Sequence, residues 1–220
     1  MENDSVKTNF FASRSFKIIA IIFGLALIVL GAYQIIGGLK SKVSSAFINK
    51  FNEINNLSGE IGNDAKAAGG LLLGISSKEN AKDYSGAAKD VGVSISNLND
   101  AASKTNSLNT KISEFKTMIE AVSDSAVKQS GLRLISLLQQ RSVAFLKLVS
   151  DSKQLIEPAK TYYEALAAGK AGVYLSSNQV AGLTREVNKD NEILTALAAQ
   201  FDVANQDLAK AAGFKLTASK

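Results

Sequence analysis

The sequence predicts an all-α protein: one N-terminal transmembrane helix, then an elongated antiparallel four-helix bundle made of two αα-hairpins. Three observations predict it. Residues 18–39 form an uncharged apolar run of 22 residues. Behind it, four apolar series of period seven follow one another. Pro occurs once and Trp not at all, whereas Ala, Ser, Leu and Lys are plentiful, a composition that suits helices better than strands.

The expected organisation is a tail at 1–16, a signal-anchor helix at 17–40, a bundle domain at 41–212 and a tail at 213–220. A 22-residue helix is about 33 Å long, close to the hydrocarbon thickness of a bilayer. Lys17 and Lys40 bracket the run. Tyr33 lies inside it, and Phe10, Phe11 and Phe16 precede it, as interfacial aromatics do. A cleaved signal peptide is the rival reading. Its apolar core is shorter, about 7–15 residues, and the small-x-small site Ser44-Ser45-Ala46 lies beyond Lys40 and Lys42. Lys7, Arg14 and Lys17 on one flank balance Lys40, Lys42 and Lys50 on the other, so charge does not set the orientation. A short tail before a long domain favours a cytoplasmic N-terminus, with the bundle outside the cytoplasm. Ala20, Gly24, Gly31 and Gly38 share one face of the expected helix. Small residues let helices approach closely, so this stripe is a candidate self-association face.

The first bundle series is Phe47, Ile54, Ile61, Ala68 and Ile75; the second is Val91, Leu98, Thr105, Ile112 and Ile119. The third is Ile135, Ser142, Val149, Ile156 and Tyr163; the fourth runs Val173, Val180, Val187, Leu194, Phe201 and Leu208. Each has apolar companions at offset three or four, which places it on one helix face. Helices are expected over 12–67, which takes in the anchor and the first bundle helix together, and over 77–125, 131–168 and 177–212. Gly69-Gly70 and Gly74 mark the first turn, and Ser76 with Glu79 offers a capping box for the second helix. A softer break spans 123–131. Gly169 and Gly172 end the third helix, and Ser176 to Gln179 repeats the capping pattern. Pro158 falls inside the third helix and should kink it.

The segments 65–81 and 165–181 match at Ala65/Ala165, Ala67/Ala167, Ala68/Ala168, Gly69/Gly169, Ser76/Ser176, Ser77/Ser177 and Ala81/Ala181. Duplication of an αα-hairpin and convergent turn chemistry both account for this. Both tips are expected at the membrane-distal end, roughly 45 Å out for a 30-residue helix. They carry Leu71, Leu72, Leu73 and Ile75, and Val173, Tyr174 and Leu175, which are the candidate partner-binding residues.

Charge and chemistry narrow the function. The first 42 residues hold five basic and two acidic groups, so most of the net charge of +5 flanks the apolar run. With no basic, aromatic-studded face, no nucleic-acid partner is expected. Absence of Cys and His removes thiolate chemistry, the commonest general base and the commonest metal ligand. No catalytic residue, cofactor or metal is expected, and no enzyme. Asp64 and Asp190 fall on seam positions and are expected to reach water at a bundle edge.

The function these features suggest is a non-enzymatic binding or scaffolding module at the cell envelope. It would be held by the lipid bilayer and would engage a protein partner or a second copy of itself. The alternatives are a self-assembling structural membrane protein and a sensory input domain. The membrane helix and bundle are similar in outline to bacterial chemoreceptor ligand-binding domains and to LemA-type membrane proteins. That resemblance is one of outline, with no shared motif.

Overall fold

The computed structural model describes residues 33–36 and 42–218. Strand β1 is Tyr33–Ile36; helices α1 to α4 are Ser45–Asn80, Tyr84–Glu120, Ser125–Ala167 and Ser177–Ala212; strand β2 is Lys215–Ala218. Each helix starts on a short side chain that accepts a first-turn N–H. Ser44 caps Phe47, Asp83 caps Gly86, and Asp124 caps Ala126 and Val127. Ser176 and Gln179 form the complete capping box expected from the sequence.

The helices run alternately up and down, each packed on its predecessor, as a four-helix antiparallel bundle. With 36 to 43 residues each, they are about 54–64 Å long. The α1/α2 turn and the α3/α4 loop share one end, here called distal. The α2/α3 turn sits at the proximal end beside the chain's entry and exit. There Lys42 pairs with Asp124 at 2.9 Å, and the Lys42 N–H donates to the Ala212 carbonyl. α1 and α4 stay more than 8 Å apart, Cα to Cα, along their length. Phe51 reaches across that seam to Phe214, ring centres 6.0 Å apart, and also contacts Phe115.

The four seams form the core. Every member of the first three series is buried, as is the fourth from Val180 to Leu208. Val173 is 85% exposed, because it lies in the loop before α4. α2 shows the narrowest stripe. From Ala87 to Ile119 its buried residues step by four and three, Ala88 excepted, which is a coiled-coil seam.

Several expectations are corrected. Tyr33–Ile36, expected within the membrane helix, forms a strand paired antiparallel with Lys215–Ala218. Tyr and Ile suit a strand, and β2 supplies the partner. The rest of 17–40, including Ala20, Gly24, Gly31 and Gly38, lies outside the described residues. Among the described residues no helix is long and apolar enough to cross a membrane.

The turn expected at 69–76 is absent, and α1 runs through it to Asn80. An exposed glycine lowers helix stability by roughly 1 kcal/mol, and burial of Ala68, Leu72 and Ile75 outweighs that. The actual turn is Ala81-Lys82-Asp83, where Lys82 takes a left-handed φ of 58° and the Asp83 N–H closes on the Lys78 carbonyl. The capping box expected at Ser76 is therefore unused. The similar segments 65–81 and 165–181 do not fold alike: one is mostly helix, the other a helix end, a loop and a helix start. α3 begins at Ser125, ahead of the expected 131, because Asp124 caps it.

Candidate binding site at the distal end

α1 and α2 meet at the distal end through three residues, whereas α3 and α4 are joined by nine, 168–176. The longer loop folds back along α3. Gly172 lies so close to Tyr162 that an added Cβ would meet its ring at 2.6 Å. Tyr174 follows, its ring centre 5.7 Å from that of Tyr162, and its hydroxyl donates to the Leu155 carbonyl at 2.9 Å. Leu155 neighbours Gln154, whose carbonyl loses its helical N–H donor because Pro158 has none. α3 continues through Pro158 to Ala167, and the folded-back loop supplies a hydroxyl to this weakened turn.

Between this turn and the start of α4 lies an open groove of about 740 Å³. One wall is Gln154, Glu157, Pro158 and Thr161; the other is Leu175, Gln179, Gly182 and Leu183. Pro158, Leu175 and Leu183 are its apolar lining, while the amides, the Thr161 hydroxyl and the Glu157 carboxylate supply polar groups. Size and composition are those of a ligand or peptide groove. Its groups suit noncovalent recognition.

Next along the chain from Thr161 comes a tyrosine cluster. Tyr162 and Tyr163 stand edge to face at 5.2 Å, and Tyr163 is fully buried. Burial, reinforced by the Glu79 charge, pushes both phenols above their ordinary pKa, and burial does the same to Tyr174. Burial also raises the Glu79 carboxyl, against a hydrogen bond from Tyr163 that lowers it. Through the Tyr163–Glu79 hydrogen bond these side chains join the ends of α1 and α3.

The expected tip residues separate in the structure. Leu72 and Ile75 are core, Leu71 is half-buried and Leu73 is 54% exposed, all within α1. Val173 is exposed, while Tyr174 and Leu175 belong to the loop, and Leu175 lines the groove. Sequence reasoning missed Gln154, Glu157, Thr161, Leu183 and the Tyr162–Tyr163–Glu79 cluster. One signal was present: of five tyrosines, Tyr84, Tyr162, Tyr163 and Tyr174 all flank the distal connections.

Of the two seam aspartates, Asp64 is part-exposed and pairs with Lys104 at 2.9 Å. Asp190 does not reach water as expected. Its side chain is 2% exposed and bonds Lys147 at 2.9 and 3.0 Å. Lys147 also holds Asp151 at 2.7 Å, so one ammonium serves two carboxylates. Among the described residues no group of three or more acidic side chains is placed to hold a metal. In comparisons with protein-family models, curated proteins and solved structures, nothing matches this chain.

Proposed function

We propose that this chain is a non-enzymatic, membrane-anchored binding module that takes a partner in the groove between α3 and the start of α4. The observation that carries this reading is the groove's position. It opens at the distal end, while the apolar run of the sequence leads into the proximal end near Lys42. A membrane at the proximal end would leave the groove facing away, about 54 Å from the surface, the length of α1.

Anchoring falls to the uncharged run ahead of β1. With Tyr33–Ile36 in a strand, that run is Ile18 to Ala32, 15 residues. As a helix it would span about 22 Å against a hydrocarbon core of about 30 Å, so local thinning and snorkelling of Lys17 and Arg14 would have to accommodate it.

Two experiments test the reading. In the first, a photoreactive residue at Thr161 should give adducts in intact membranes that Leu183→Glu abolishes. The same probe at exposed Ser107 of α2 should not. Equal labelling at both positions would remove the groove from consideration. In the second, alkaline carbonate extraction should leave the chain in the membrane fraction, and release into the supernatant would remove the anchor.

A further inference from the structure

Near the middle of the bundle, away from the groove, lies a small, partly enclosed pocket of about 20 Å³ lined by core residues. Its wall is largely apolar but includes Ser58 of α1, Thr105 of α2, and Arg141 and Ser142 of α3. All four are buried, Ser142 to 3% exposure.

The hydroxyl hydrogens can be accounted for one by one. Ser58 O–H donates to the Ile54 carbonyl at 2.8 Å, and Thr105 O–H donates to the Ala101 carbonyl at 2.8 Å. Each uses its single proton within its own helix, so each oxygen has only lone pairs left to offer. Ser142 Oγ is buried and has no hydrogen-bond partner in the structure. It brings one proton and its lone pairs. Residues of three helices that line this pocket therefore carry two hydroxyl acceptors and one uncommitted donor. A buried polar cavity holds a water once it exceeds roughly 10–15 Å³ and offers two to four polar partners.

We propose that this pocket is a binding site for one structural water. The water donates its two hydrogens to Ser58 Oγ and Thr105 Oγ1 and accepts the Ser142 hydroxyl proton. That arrangement gives every hydroxyl on the wall a partner and links α1, α2 and α3 through the core at a single level. The competing arrangement turns the Ser142 hydroxyl back onto the Leu138 carbonyl one turn earlier, as Ser58 and Thr105 do in their own helices.

Magnetic relaxation dispersion of water nuclei on the full chain counts waters that stay bound for longer than the protein's tumbling time. Ser142→Val replaces the donor with methyl groups that fill the space, and it should lower the count by one relative to the unmodified chain. An unchanged count overturns the proposal. Should Ser142→Val fail to fold, atomic-resolution electron density of the unmodified chain decides the matter. A peak within hydrogen-bond distance of Ser58, Thr105 and Ser142 supports the site. A Ser142 hydroxyl bonded to the Leu138 carbonyl with no such peak overturns it.

Discussion

The two hairpins are built to different standards of closure. α1 and α2 meet along an apolar seam and are laced by ion pairs at successive levels: Lys50–Glu114, Lys111–Glu53, Lys104–Asp64 and Lys78–Asp90. Within the seam, Ser94 O–H donates to the Ala68 carbonyl of the other helix. Their connection is three residues long. α3 and α4 have a nine-residue connection, a proline in the last third of α3, and buried polar residues on the interior face of α4, namely Thr184, Asp190, Asn191 and Asn205. Surface ion pairs contribute little singly, about 0–1 kcal/mol each, but they fix the register between two helices. The second hairpin is bridged as well, by Arg133–Asp207 and Lys147–Asp190, and the first buries polar residues of its own, Asn55, Ser58, Ser94 and Thr105. What separates the two is the connection: the second hairpin has surplus loop, and it is the half that holds the groove.

The largest expected effect tests this contrast from the side of the first hairpin. Phe115 packs its ring at a steep angle against Phe47 at 4.7 Å and Phe51 at 6.0 Å and is fully buried. Phe115→Ala should lower unfolding free energy by about 3–5 kcal/mol, measured by urea denaturation. Next is Lys147→Met, which leaves Asp190 buried without its cation. Because Lys147 is half exposed, the loss should be about 2 kcal/mol, less than for a fully buried pair. Adding Asp190→Asn should restore most of it, and a double mutant no better than the single would refute the pairing.

Acidity separates the hairpins by sign. Hydrogen bonds from Lys111 and Lys50 hold Glu53 below the ordinary carboxylate range. Its contribution is complete above the unfolded value of about 4 and is lost as pH falls through the lowered one. Asp190 is raised, first by burial and also by Asp151, against the pull of Lys147. Its ionisation therefore weakens the fold as pH rises from about 4 through the raised value. Asp190→Asn should flatten the slope of stability between neutrality and pH about 4, read as urea midpoint against pH. It should leave the more acidic loss in place.

The smallest effects divide the two glycine-bearing segments. Gly169 has φ 69°, and a Cβ at Gly172 would strike Tyr162, so alanine at either position should destabilise by about 1 kcal/mol. Gly70 and Gly74 sit in α1 with open space where a Cβ would go. Alanine there should stabilise by about 0.5–1 kcal/mol each. Thermal melts of the four single variants settle the signs.

These glycines also show how far the sequence could be read. Heptad spacing locates the core because burial follows face, and the start of α4 at Ser177 is legible because a capping box precedes it; at its other end the structure shows Gly213 with φ 74°. α1 was ended too early. A glycine pair reads as a stop only when nothing beyond it is buried, and here Leu72 and Ile75 are. The true turn has no Gly or Pro before Asp83 and rests on Lys82 adopting a glycine-like φ. The groove was half legible. Leu175 and Pro158 stood out, but Gln154, Thr161 and Leu183 join them only through the way the loop folds back, which no local pattern encodes.

The short sheet at the proximal end also determines how the fold responds to mechanical load. Tyr33 pairs with Ala218 at its outer edge, then Gln34 with Thr217, Ile35 with Leu216 and Ile36 with Lys215. Tension applied outward through residues 33 and 218 would fall on one pair at a time, beginning with the outermost. It would next reach the bond from Lys42 to Ala212 and the Phe51–Phe214 contact, and then the ends of α1 and α4, which stand apart from one another. This is a zipper geometry, which opens at low force, rather than a shear geometry, in which all the bonds would have to fail together.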